Sequence, residues 1–90
     1  MGNSAVQFKI MPTSPDVDFE SLKGSIKEKI EADGGVIGEF SEEPIAFGLK
    51  ALIVAFAYPE EKEIDELGNQ FNELEGISSS EMIDYRRAIG

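Results

Sequence analysis

Four segments of this 90-residue chain have patterns of hydrophobic and polar residues that predict β-strands. They span residues 5–11, 36–40, 49–58 and 77–87. The first alternates with a period of two, so one of its faces is buried. The third is apolar on both faces, which predicts an interior strand. Its bulkier face consists of Leu52, Val54, Phe56 and Tyr58, whereas the other is rich in alanine. The fourth alternates weakly, as is typical of an edge strand.

Two further segments have apolar residues at helical spacing. The first helix follows Asp18, which can cap its start, and stops at the sequence Asp33-Gly34-Gly35. Its apolar positions are Phe19, Leu22, Ile26 and Ile30. The second helix is predicted over residues 60–75 and ends at Gly76. Its apolar positions are Ile64, Leu67, Phe71 and Leu74.

The predicted order β-α-β-β-α-β is that of two right-handed βαβ units sharing one antiparallel sheet. We therefore expect an α+β fold, the ferredoxin-like split βαβ sandwich, with four antiparallel strands and two helices on one face. The first and third strands should be central. The bulky face of the third strand should take the helices, which leaves its alanine-rich face open. Residues 1–90 are predicted to form a single domain.

Composition excludes several functions. Eighteen acidic and eight basic residues give a net charge of −10, so the chain should repel nucleic acid and favour a basic protein surface. There is no cysteine or histidine, which excludes disulfides, the usual zinc sites and histidine-based acid–base chemistry. The apolar run 51–58 is too short to cross a membrane. We expect a cytoplasmic protein that binds no membrane, metal or cofactor.

No pattern of residues indicates catalysis. Asp16, Asp18 and Glu20 alternate as in a calcium loop, but the glycine and glutamate that such a loop needs at its sixth and twelfth positions are missing. Acidic residues at the start of a helix instead favour its dipole. Adjacent carboxylates elsewhere are expected in so acidic a chain. We therefore predict no catalytic residue and no enzymatic activity.

Phe47 is the most informative residue, because it lies between a rigid turn and the interior strand. Pro44 restricts the backbone at the start of this segment. Gly48 has no Cβ, so another chain can approach Phe47 closely. Two interpretations remain open at this point. Phe47 either caps the hydrophobic core or acts as an anchor for another protein.

The chain resembles the archaeal translation elongation factor 1 beta family along essentially its whole length. The most specific match is residues 43–52, which read EPIAFGLKAL. The segments 11–18, 74–78 and 84–87 also match. The resemblance implies the ferredoxin-like fold and guanine-nucleotide exchange on elongation factor 1 alpha, in its GDP-bound and nucleotide-free states. That GTPase delivers aminoacyl-tRNA to the ribosome and must lose GDP after each round.

The resemblance also implies which residues contact the GTPase. In larger eukaryotic relatives an aromatic-glycine pair before the third strand makes this contact, and Phe47-Gly48 matches it; Lys50 lies in the same matched segment. A basic residue near the chain end approaches the magnesium and phosphates, and Arg87 matches it by lying two residues after Tyr85. Because the eukaryotic residue is a lysine, Arg86 stays a second candidate.

Two other functions are compatible with the sequence. One is a regulatory protein-interaction module on the same fold, in which the two arginines only solubilise the surface or pair with local acids such as Asp84. The other is a small-ligand-binding domain that uses the open sheet face. A nucleotide-release assay distinguishes the exchange factor from both.

Overall fold

The computed structural model describes residues 2–87, which form an open four-stranded sheet with two helices. The elements in chain order are β1 (Asn3–Pro12), α1 (Phe19–Ala32), β2 (Val36–Pro44), β3 (Lys50–Pro59), α2 (Ile64–Asn72) and β4 (Ile77–Arg87). The predicted single domain, residues 1–90, extends at both ends beyond the described residues.

The sheet order is β2-β3-β1-β4, with every neighbouring pair antiparallel. The first and third strands are therefore central, as the apolar patterns predict, and the ferredoxin-like fold is confirmed. β1 is a central strand of the sheet, because it pairs with β3 on one side and with β4 on the other. The edge strands have register irregularities, one at Gly38 in β2 and two in β4, at Ser78 and Ile83.

The core lies between the sheet and the two helices. One face of β1 and the bulky face of β3 are buried there against both helices, with Val6, Phe8, Ile10, Leu22, Ile26, Ile30, Leu52, Val54, Phe56, Leu67 and Phe71 almost fully removed from solvent. Phe8 is at its centre, with its ring 5.3 Å from that of Phe71 in an edge-to-face pair. The opposite, alanine-rich face of β3 has no helix over it, as predicted.

The ends of α1 form as the sequence predicts. The carboxylate of Asp18 accepts a hydrogen bond from the backbone N–H of Glu20 at 3.0 Å, which satisfies one of the free donors of the first turn. At the other end the chain passes through Gly34 with φ of +90°. Gly35 then packs so closely that a Cβ there would lie 2.8 Å from the carbonyl oxygen of Ala57.

The predicted bounds of two elements are wrong. β2 continues to Pro44 instead of ending near Phe40, because β3 pairs with its polar second half, including Glu42 opposite Leu52. α2 is shorter at both ends than the predicted residues 60–75. A turn closed by a hydrogen bond from Lys62 N–H to Pro59 O precedes it, and the chain leaves the helix after Asn72.

The two ends of the sheet are formed by different elements. The hairpin end contains the turn between β2 and β3 and the loop 13–18 between β1 and α1. The tail end contains the last residues of β4, the start of β1 and the end of β3, since Ser4 is opposite both Tyr58 and Arg87.

Candidate functional site

The turn that joins β2 to β3 has a conformation unusual for its sequence. Phe47 has φ of +61° and Gly48 has φ of +75°. The N–H of Leu49 donates to the carbonyl of Ala46 at 3.1 Å, and the N–H of Ile45 donates to Leu49 O at 2.8 Å. Positive φ at both central residues defines a type I′ turn, whose twist matches that of a β-hairpin.

Phe47 is almost entirely in solvent, with 95% of its surface exposed. The interpretation that it caps the core is therefore wrong. A left-handed backbone costs a residue with a Cβ about 1–2 kcal/mol, and a bulky aromatic side chain is rare there. Strain of this kind persists where the surrounding structure enforces it and is concentrated at functional sites. An exposed phenylalanine on a strained turn is an unfavourable arrangement unless something covers it.

Lys50 lies at the start of β3, two residues after Gly48. Its Nζ is 3.7 Å from Oε1 of Glu42 on the neighbouring strand. Both side chains are substantially exposed, so this ion pair contributes little to stability. Lys50 therefore lies beside the turn that contains Phe47, on the helix-facing side of β3 with Leu52.

Arg86 and Arg87 lie at the opposite end of the sheet, on opposite faces of β4. Arg86 is opposite Ala5 and points to the open face, where its Nε is 3.4 Å from Oδ2 of Asp84. Arg87 is opposite Ser4, whose side chain is buried on the helix side. Among residues 2–87, no carboxylate lies within ion-pair distance of Arg87. The two arginines therefore point to opposite faces of the sheet, and, among the described residues, Arg86 has a carboxylate within ion-pair distance whereas Arg87 has none.

Tyr85 joins the end of β4 to β1 through its hydroxyl group. Ser4 Oγ donates to Tyr85 OH at 2.9 Å, and Ser4 is the one buried polar residue in the described part of the chain. Because Tyr85 and Arg87 lie on the same face two residues apart, this bond helps to fix the strand from which Arg87 projects. The sequence analysis used Tyr85 only as a reference position for Arg87 and did not predict its hydrogen bond with Ser4.

The tail end contains a second buried hydroxyl group. Tyr58 OH donates to Asp33 Oδ2 at 2.6 Å and so ties the end of β3 to the end of α1. Burial raises the pKa of Tyr58 well above its ordinary value, and the hydrogen bond to Asp33 adds to the shift. This bond is structural, since Tyr58 is almost completely covered.

The predicted contact residues form two separated sets. Phe47, Gly48 and Lys50 lie together at the hairpin end, while Arg86 and Arg87 lie at the tail end. Ser4 is opposite Arg87, and Pro12 lines a pocket together with Gly48 and Lys50. The distance from Ser4 to Pro12 along β1 is about 27 Å at about 3.4 Å per residue. The residue pattern alone did not indicate this separation.

A scan of family models matches residues 5–87 to the EF-1 guanine nucleotide exchange domain. The relatives are similar over almost their full length. Elongation factor 1-beta of Methanothermobacter thermautotrophicus is 41% identical over 99% of this chain and 100% of its own. That of Methanosarcina barkeri is 41% identical over 97% and 99%. The chain belongs to the elongation factor 1-beta family. The predicted family is therefore confirmed, and with it a role in nucleotide exchange during translation elongation.

A solved structure supports the fold independently of sequence. The C-terminal domain of the MgtC protein from Mycobacterium tuberculosis superposes with a TM-score of 0.70, covering 97% of this chain and 89% of that domain, at 8% identity. At that identity the likeness concerns the fold alone. Within residues 2–87, no helix is long and apolar enough to cross a membrane.

Proposed function

We propose that this protein accelerates the release of GDP from elongation factor 1 alpha, so that GTP can rebind. Membership of the exchange-factor family supports this function. The observation that carries it is Phe47, an aromatic side chain that is 95% exposed on a backbone with φ of +61°. Nothing in the described chain benefits from this arrangement, whereas a partner surface does.

Phe47 acts as the anchor. Full burial of a phenylalanine side chain contributes about 1.5–3 kcal/mol, which exceeds the cost of the strained backbone. Gly48 has no atom within 4 Å of the position of a Cβ, so the partner can approach the turn from that side. Lys50 lies beside the anchor and can exchange its exposed pairing with Glu42 for a carboxylate of the GTPase.

Arg87 acts on the nucleotide site. The GTPase holds GDP through a magnesium ion and through the loop around its phosphates. A guanidinium group that enters this region repels the metal and offers the phosphate oxygens or metal-binding carboxylates a competing partner. Arg87 suits this role better than Arg86, because it lies two residues after Tyr85, where the resemblance places the basic residue, whereas Arg86 lies on the other face of β4.

Exchange then follows from differential affinity. The protein binds the nucleotide-free GTPase more tightly than the GDP-loaded form, and only such a difference shifts the equilibrium towards release. No covalent bond forms or breaks in this process. The protein is therefore an exchange factor that acts by binding and not an enzyme that transforms a substrate.

Stopped-flow release of a fluorescent GDP analogue from purified elongation factor 1 alpha tests the proposal. We expect the wild-type protein to accelerate release and the double variant Phe47→Ala/Arg87→Ala to lose the effect while keeping its melting temperature. Binding is measured separately by calorimetry with the nucleotide-free GTPase. Tight binding without accelerated release would identify a regulatory interaction module instead, and absence of binding would refute both functions.

A further inference from the structure

β4 is an edge strand, and its outer side pairs with no other strand of the described chain. Three of the five large hydrophobic side chains that are exposed among residues 2–87 lie within four consecutive positions of it, namely Met82, Ile83 and Tyr85. Natural proteins usually protect an edge with lysine, proline or a bulge, because its free N–H and C=O groups can pair with another strand. β4 has neither lysine nor proline, and from residue 79 onwards its one irregularity is the bulge at Ile83. Its outer edge is therefore open to strand addition.

The charges of the two edge strands indicate which of them can pair with a copy of itself. β2 carries three glutamates and no basic residue. Two β2 strands side by side would bring carboxylates together, and like charges opposite each other are unfavourable. β4 carries both signs, with Glu81 and Asp84 followed by Arg86 and Arg87. Two β4 strands in antiparallel orientation therefore bring the acidic part of one next to the basic part of the other.

The bulge at Ile83 determines which residues of β4 share a face. Met82 and Tyr85 are opposite buried residues of β1, so both lie on the helix side of the sheet. Glu81 and Arg86 are opposite residues on the other face of β1, so both lie on the open side. In a regular strand the members of each pair would lie on opposite faces, because side chains alternate. The bulge thus makes it possible for the members of each pair to meet across a strand-to-strand contact.

A second copy of β4 can pair antiparallel with the first about a two-fold axis at the bulge. This register places Glu81 opposite Arg86 of the other copy and Met82 opposite Tyr85 of the other copy, and the symmetry produces each pair twice. Opposite residues of an antiparallel pair have Cβ atoms about 4.5–5.5 Å apart, where opposite charges and aromatic–apolar contacts are stabilising. Because the extra residue lies at the axis in both strands, the strands stay aligned on either side of it. A register shifted by two residues would instead place Glu81 opposite Asp84, which is unfavourable.

We infer that two copies of this protein associate through their β4 strands, which pair antiparallel and join the two sheets into one continuous sheet. The occupant of the free edge is thus a second copy of the chain, and the complementary charges of Glu81 and Arg86 set the register. This inference does not rest on the proposed function, and its test uses the purified chain alone.

The dimer should be weak and should depend on salt. One strand from each copy is a small contact, and interfaces below about 1,200 Å² are typical of transient complexes. Each copy has a net charge of −10, so two copies repel each other at long range. The Debye length falls from about 30 Å at 0.01 M salt to about 8 Å at 0.15 M, which reduces this repulsion more than the attraction between charges in contact. We therefore expect dimerisation that is tighter at 0.15 M than at 0.01 M.

Sedimentation equilibrium between about 10 μM and 1 mM protein measures the dissociation constant of the dimer. NMR spectra over the same concentrations locate the contact, because amide shifts that depend on concentration should be confined to β4 and its immediate neighbours. A wild-type protein that is monomeric at about 1 mM overturns the inference. Shifts confined to β2 would place the contact at the other edge and overturn it as well.

Charge exchange tests the register. Glu81→Arg places arginines opposite each other and Arg86→Glu places glutamates opposite each other, so each variant should raise the dimer Kd about tenfold or more. A mixture of the two variants has an opposite-charge pair at both positions, so the two should associate with each other as tightly as wild type does with itself. The matched control is Glu39→Arg on β2, which changes the net charge as Glu81→Arg does and should not weaken the dimer. All three side chains are exposed, and thermal melting verifies that each variant is folded.

The mixture gives the decisive result. If the two variants fail to associate with each other, or if each dimerises like wild type, the inferred pairing is wrong. If Glu39→Arg weakens the dimer as much as Glu81→Arg does, the contact does not involve β4 and the inference is likewise wrong. The proposed function is judged separately, since GDP release depends on elongation factor 1 alpha and none of these measurements includes it.

Discussion

The two ends of the sheet differ in the chemistry that they present to solvent. The hairpin end offers an exposed aromatic ring on a strained, hydrogen-bonded turn. The tail end offers two arginines on an edge strand, one engaged with Asp84 and one directed to the other face. Affinity from apolar contacts depends little on salt concentration. Interactions between charged groups are screened by salt, and a charged side chain can compete with another charge for its partner. Because the aromatic ring and the arginines lie at opposite ends, we predict that GTPase binding and GDP release can be impaired by separate substitutions.

β1 connects the two ends of the sheet rigidly. Its residues 4–10 pair on both sides, so the two ends cannot move independently without breaking the sheet. An anchor fixed at one end therefore determines where the guanidinium groups lie at the other. Effective positioning of this kind reduces the entropic cost of bringing a charged group to its target.

The largest effect is expected at the tail end. Arg87→Ala should reduce stimulated GDP release about 10- to 100-fold, because a hydrogen bond to a charged group contributes about 1.5–3 kcal/mol. Binding to the nucleotide-free GTPase should change much less. The matched control is Arg86→Ala, which should leave release within about threefold of wild type. If Arg86→Ala abolishes release and Arg87→Ala does not, our assignment of the two arginines is reversed.

At the hairpin end, Phe47→Ala should weaken binding by about 2 kcal/mol or more, which is roughly 30-fold in Kd. The melting temperature should stay near that of wild type, because Phe47 makes no core contact. The loss should be similar at low and high salt, unlike the loss caused by Arg87→Ala. Calorimetry at two ionic strengths measures both variants. Equal salt sensitivity of the two would contradict the division between the ends.

Phe47→Gly distinguishes the effect of backbone strain on stability from the effect of losing the aromatic contact on binding. Glycine adopts positive φ without steric cost, whereas alanine keeps the Cβ that causes the strain. We expect the glycine variant to be about 1 kcal/mol more stable than Phe47→Ala in urea unfolding, while both bind the GTPase equally poorly. A glycine variant less stable than the alanine variant would show that the turn is not strained.

The smallest effect on function is expected from Tyr58→Phe. The variant loses one buried hydrogen bond and about 1 kcal/mol of stability but should release GDP normally. Because the pKa of Tyr58 is raised in the folded protein, the unfolded chain loses this proton first as pH rises above about 10. Stability then falls by at most about 1.4 kcal/mol per pH unit. Urea unfolding from pH 8 to 11 should show a weaker fall for the variant than for wild type.

Much of the fold was predictable because the apolar patterns are strong. The helix-facing residues Leu22, Leu52 and Leu67, one from each of three elements, are all fully or almost fully buried as their spacing requires. The end of β2 was not predictable, since Glu42 and Glu43 form a strand only through their pairing with β3. The start of α2 was overextended because acidic residues after Pro59 suit a helix as well as the turn that they form.

The residues of the candidate site stay a prediction from the sequence, and their geometry was not predictable. The positive φ of Phe47 has no sequence signal, because type I′ turns are usually marked by Asn-Gly or Asp-Gly. The bond between Ser4 and Tyr85 joins residues that lie far apart in the sequence, and no local pattern indicates it. Arg86 and Arg87 face opposite sides of β4, as adjacent residues of a strand do.

The bulge at Ile83 in β4 affects where the two arginines would lie if the strand paired out of register. The pairing passes from Phe8 opposite Met82 directly to Gln7 opposite Asp84, so Ile83 is a bulge. Without it the strand would continue regularly, Arg86 would be opposite Ser4, and Asp84 would face the apolar side next to Val6. Placing that carboxylate on the apolar side would be unfavourable. If the strand nevertheless slipped by one position, Arg86 would take the place of Arg87, and the tandem arginines would keep a guanidinium group on the same face.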